Sequence, residues 1–169
     1  MELEALVPGI IGAFVGVIGW LFVGIYIQRR QFIRQARNAA RAVYFEVDVN
    51  RVAVTVARDF GSFTPLDRTS FERLLPELAT LLTPTELRSV VSAYMAHAGY
   101  RQASAGDQLP AEVRVRALDS ILVAHEQALE TLLARAFSAR EASALSSVPA
   151  DARTAAATSA AESKRPTAS

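Results

Sequence analysis

The sequence predicts an all-α protein: one N-terminal transmembrane helix, a small antiparallel cytoplasmic bundle of three to four helices, and a disordered C-terminal tail. Three observations carry that expectation. Residues 5–27 contain no charged side chain. Beyond them, apolar residues recur at spacings of three and four, the period of a helix. Residues 142–169 are dominated by Ala, Ser and Thr, which leaves little to bury. The expected organisation is a span at 5–27, a juxtamembrane helix at 28–58, the rest of the bundle at 66–141 and the tail at 142–169.

The first segment reads ALVPGIIGAFVGVIGWLFVGIYI. At ~1.5 Å per residue, about 20 apolar residues cross a hydrocarbon layer of roughly 30 Å. A cleaved leader needs a basic start and a small-residue cleavage site. Here the start is MELE and the run ends in IYIQRR, so an uncleaved anchor is expected. Glu2 and Glu4 precede the run, and Arg29, Arg30, Arg34, Arg37 and Arg41 follow it. Basic residues beside a span stay on the cytoplasmic side, which places the N-terminus outside and residues 28–169 inside. Arg29, Arg30, Arg34 and Arg37 then set topology and meet anionic headgroups, at about 1 kcal/mol for each residue close to the surface. The use of Arg over Lys and the 31 alanines suggest a GC-rich bacterial genome. The expected location is therefore the bacterial inner membrane, with the lipid bilayer as a partner. Gly9, Gly12, Gly16 and Gly19 share roughly one half of the helix, where backbones can approach closely. That face implies a homo-oligomer or a larger membrane-protein partner.

Residues 28–58 lack Gly and Pro. Their stripe runs through Ile33, Ala36, Ala40, Val43, Tyr44, Val47, Val54 and Ala57. The β-branched segment YFEVDVNRVAVTV competes as a strand. The helical pattern stops at DFGSFTP, punctuated by Gly61 and Pro65. Thr69 and Glu72 have capping-box spacing, and Phe71, Leu74, Leu75, Leu78, Leu81 and Leu82 form the next stripe. Pro76 divides it into two short helical segments meeting at Leu75–Pro76. Thr83, Pro84 and Glu86 are the strongest start signal in the chain. The helix they open carries Leu87, Val90, Val91, Tyr94 and Met95 and runs to about Tyr100. Residues 103–110 read as a loop. Pro110 and Glu112 then open a long helix to about Arg140, with Val113, Leu118, Ile121, Leu122, Leu129, Leu132 and Leu133 on its apolar side.

Charge and composition exclude several chemistries. The net charge is +1, but residues 28–58 carry +5 and residues 59–141 carry −3. An acidic bundle gives no face for nucleic acid. There is no cysteine, and the single lysine is Lys164, so thiol chemistry and a P-loop are excluded. No serine stands in a GxSxG setting. His97 and His125 each lie on an apolar helix face, neither belongs to an HExxH motif, and both read as structural. Glu126 and Glu130 read as solvated. Glu46 and Asn50, one turn apart in the first bundle helix, are the candidates for a buried polar cluster. No cofactor, metal or small-molecule substrate is implied. The function expected from the sequence is a non-enzymatic single-pass membrane protein with a helical interaction domain of structural or scaffolding type. The alternatives are an accessory subunit of a transport or channel complex and a holin-like membrane-active protein.

Overall fold

The computed structural model describes the backbone of residues 2–105 and 110–146, and the side chains of residues 16–105 and 110–145. All regular structure in it is helical: α1 (Glu2–Phe60), α2 (Thr69–Leu81), α3 (Pro84–Met95), α4 (His97–Ala105), α5 (Ala111–Ala136) and α6 (Ala139–Ser146). The strand reading of residues 44–56 loses to the helix. There the β-branched Val47 and Val54 fall, with Val43 just before the segment, on one buried face of α1. The chain divides into two units, Met1–Gln35 and Ala36–Ser169.

In the first unit, every side chain described, from residue 16 to residue 35, is exposed. The transmembrane expectation is corrected here. Among the described residues no helix is long and apolar enough to cross a membrane. Gln28, Arg29 and Arg30 follow the uncharged run at once, and no window of the described side chains is apolar over the length that a crossing of ~30 Å needs. Residues 5–15 of the expected span lie outside the described side chains, as do Gly9 and Gly12. With the span go the conclusions drawn from it: single-pass inner-membrane localisation, the lipid bilayer as partner, and the membrane-protein function with its channel-accessory and holin-like alternatives.

In the second unit, two buried clusters run along α1. The first joins Ala40, Val43, Tyr44 and Val47 of α1 to Phe71, Leu78, Val90, Tyr94, Ala128 and Leu132. The second joins Val54 and Ala57 to Tyr100, Ala103, Leu118, Ile121 and Leu122. Cross-helix bonds fix the directions. Arg135 meets Glu86 at 2.7 Å, Ser89 meets Thr131 at 3.0 Å, and His97 meets His125 at 3.2 Å. The α3–α4 pair therefore runs antiparallel to α5. Arg41 bonds the Ala136 carbonyl and Glu141, while Arg58 reaches Asp119, so α1 is also antiparallel to α5.

Local chemistry explains most of the boundaries. Gly61 adopts φ 67°, and its N–H donates to Ala57 at 3.0 Å, ending α1; a side chain at this left-handed position would be strained. Thr83 and Glu86 form the reciprocal cap of α3, with Pro84 in its first turn. Thr83→Ala is expected to cost about 1 kcal/mol, visible as a lower urea midpoint.

Five boundaries differ from expectation, the first being that α4 runs to Ala105, into the expected loop at 103–110. Pro76 lies inside one continuous α2 rather than dividing two segments. The helix after Thr83 stops at Met95, and a new one starts at His97. The long helix ends at Ala136, not near Arg140, because Phe137 takes an extended backbone. Ser138 and Glu141 then cap α6 reciprocally, which makes the first residues of the expected tail helical. Residues 147–169 of that tail lie outside the described residues.

Candidate functional site

Polar groups are rare inside this bundle, and they lie along one path. Glu46 and Asn50 of α1 are 9% and 2% exposed, and His97 and His125 are 4% and 0% exposed. Each would be costly to bury without partners.

Glu46 acts on the start of α2. That start has no capping side chain at Arg68. The Glu46 carboxylate instead accepts from the backbone N–H groups of Ser70 at 2.5 Å and Phe71 at 3.2 Å. A helix start presents unpaired N–H groups and partial positive charge, so a carboxylate suits it. Asp67 accepts from the N–H groups of Arg68 and Thr69 and from the Thr69 hydroxyl. These bonds hold Asp67 ionised below its usual range, the Thr69 hydroxyl contributing most. The expected Thr69–Glu72 capping box is therefore replaced. Thr69 is already the first helical residue, and Glu72 pairs with Arg68 at 2.6 Å.

The other Glu46 contact is the Tyr94 hydroxyl, which donates to it at 2.6 Å. Burial, then the bond to Glu46, pushes the Tyr94 phenol far above its normal range. The Tyr94 ring stacks on Phe71 at 4.1 Å. One turn along α1, the Asn50 amide donates to the Asp67 carbonyl at 2.6 Å and accepts from the Asp67 N–H at 2.9 Å. Both arms of the amide are thus used on one residue of the connection between α1 and α2. Farther along, the Tyr100 hydroxyl accepts from the Thr64 N–H and donates to the Thr64 carbonyl.

The two histidines meet across α4 and α5, with Nε2 atoms 3.2 Å apart. Burial is the main force keeping both neutral. It pushes His97 down to about 4, helped by Arg68, and His125 down to about 3, helped by His97. A metal ion between the Nε2 atoms would place a proton on each Nδ1, which then needs an acceptor. His125 Nδ1 is buried with no partner. No group of three or more His, Cys, Asp or Glu suited to a metal occurs among the described residues. The pair fits a hydrogen bond better than a shared ligand.

Sequence reasoning singled out Glu46 and Asn50 and missed their partners, Asp67, Ser70, Phe71 and Tyr94. It found both histidines without bringing them together. Of the remaining candidates, Arg37 alone belongs to the second unit. Gly16 and Gly19 are on α1 with open space where a Cβ would project. Arg29, Arg30, Arg34 and Arg37 are exposed on α1, and the Arg30 guanidinium sits 5.0 Å from the Tyr26 ring centre. Chemically, the buried path joins helices. Each Glu46 oxygen and both arms of Asn50 are occupied by protein groups. Compared with protein-family models, with curated proteins and with solved structures, the chain matches none.

Proposed function

We propose that this chain is a non-enzymatic interaction module, in which the apolar segment of α1 is covered by the same segment of further copies. One observation carries the reading. Residues 16–27 hold no charge and are all exposed, with Trp20 at 78% and Phe22 at 71%. Contiguous apolar surface on this scale marks an interaction site, and a helix apolar on every side is one that other elements bury. Gly16, Gly19 and Gly24 leave open space beside the backbone, which permits close helix approach. Two more large apolar side chains, Phe45 and Val49, are exposed on the bundle part of α1, away from the buried Val43 and Val47.

Light scattering of the full-length chain after size exclusion tests this. The expected mass is a multiple of 18.2 kDa. Trp20→Glu with Phe22→Glu should return it to a single chain while helical content stays unchanged. A single-chain mass for the natural sequence would overturn the reading. So would flotation with liposomes, abolished by the same two substitutions.

A further inference from the structure

We propose that the His97–His125 pair is a proton-operated latch that fastens α4 to α5 and lets α4 go in mild acid. The inference is independent of the interaction reading above. It starts from the bond at 3.2 Å between two Nε2 atoms. One of them must donate and the other accept, so the two rings are opposite tautomers. His125 Nδ1 is buried and has no partner. Leaving an N–H donor unpaired there costs more than leaving a bare lone pair. The cheaper arrangement makes His125 the donor through Nε2–H and His97 the acceptor, with its proton on Nδ1.

In that arrangement neither ring can take a second proton without damage. A proton on His97 Nε2 sets two N–H groups against each other and breaks the bond. A proton on His125 Nδ1 creates a buried cation with an N–H that has no acceptor. The surroundings offer little compensation. The charged or titratable groups facing His97 are Glu46 of α1, Arg68 before α2, Tyr94 of α3 and Arg101 of its own helix. Those facing His125 are His97 and Arg51 of α1. Arginine predominates, and the one carboxylate is occupied by Tyr94, Ser70 and Phe71.

The element released is well defined. His97 is the first residue of α4, directly after the break at Ala96. Tyr100 of α4 holds Thr64 in the connection from α1 to α2. Tyr100 and Ala103 also cover Val54, Ala57, Leu118 and Ile121. Opening α4 therefore loosens that connection and uncovers an apolar patch.

The sign follows from linkage. A freed imidazole takes its proton near 6.5, whereas the latched His97 takes it only near 4. Between those values the opened state holds more protons, so opening becomes easier as pH falls. The opening constant should rise by up to about tenfold per pH unit for each imidazole that is freed.

Hydrogen exchange of the full-length chain from pH 7 to pH 5, corrected for intrinsic rates, tests the latch. The expected result is loss of protection in α4 before α3 and the centre of α5. In His125→Leu that pH dependence should weaken to at most the one remaining imidazole's, and in His97→Leu with His125→Leu it should vanish. Nitrogen-15 spectra of the natural chain at pH 7 give a readout that requires no variant, and should show Nε2–H on His125 and Nδ1–H on His97. Uniform loss of protection through the bundle would overturn the proposal. So would two rings of the same tautomer, or an α4 pH response unchanged in His125→Leu.

Discussion

Replacing Glu46 with Ala should lower the stability of the bundle by about 3–5 kcal/mol, since each orphaned buried donor costs roughly 1–3 kcal/mol. Three donors lose their acceptor at once: the Ser70 and Phe71 N–H groups and the Tyr94 hydroxyl. The Ala side chain can reach none of them, and the stacked Phe71 and Tyr94 rings keep water from one side. Glu46→Gln keeps one acceptor oxygen and should lose about half as much. Tyr94→Phe removes a donor rather than the acceptor, which leaves the helix start capped, and should cost only about 1 kcal/mol. Urea unfolding of the three variants checks the order. A loss below 1 kcal/mol for Glu46→Ala would mean that water or a rearranged Asp67 satisfies the start of α2, and that Glu46 is no keystone.

That ranking bears on what could be read before the fold was known. Glu46 and Asn50 stand out because they interrupt a stripe whose neighbours, Val43, Val47 and Val54, point inward. Periodicity places a residue on a face. It does not say which backbone groups will come to that face. The connection 61–68, which carries Asp67 and brings the start of α2 to that face, has no period, so Asp67, Ser70 and Phe71 could not be matched to Glu46 and Asn50. Thr69 was misread for a related reason. Its spacing to Glu72 is that of a cap, but the acceptors come from Asp67 and from another helix. Tertiary bonds there override a local signal worth about 1 kcal/mol.

The Thr83–Glu86 cap and the Gly61 stop were legible because everything they need lies within a few residues. The His97–His125 contact was legible in principle. The pairs Glu86–Arg135, Ser89–Thr131 and His97–His125 are each centred within one residue of Pro110. A helical hairpin folding at that proline brings such pairs together. Using this signal requires knowing that α3 and α4 continue in one direction across Ala96. The apolar run at 5–27 failed in another way. Hydropathy measures what a helix would accept around it, and a membrane is one of several apolar environments that can cover Trp20 and Phe22.

The core supplies the other large effect. Leu132→Ala should destabilise the bundle by about 2–5 kcal/mol, the range for removing a buried leucine side chain from a packed interior. Leu132 is fully buried at the meeting of α5 with Val43 and Val47 of α1, Leu78 of α2 and Val90 of α3. Four helices would have to move inward to refill the space. They are tied by the Arg135–Glu86 pair, by the Arg41 bond to the Ala136 carbonyl and by the α2 cap on Glu46, so collapse is restricted and the cost should fall in the upper half of that range. A domain of this size holds only about 5–15 kcal/mol in all, so one substitution could remove a third of it. Leu133, the next residue, is half-buried on the same helix, and Leu133→Ala should cost less than half as much. Val123→Ala on the exposed side of α5 should change stability by under about 0.5 kcal/mol. Unfolding midpoints with an unchanged denaturant slope would establish the order. Equal losses at Leu132 and Leu133 would mean that α5 is not clamped on its Leu132 side, and that the four-helix junction is not where this fold is held.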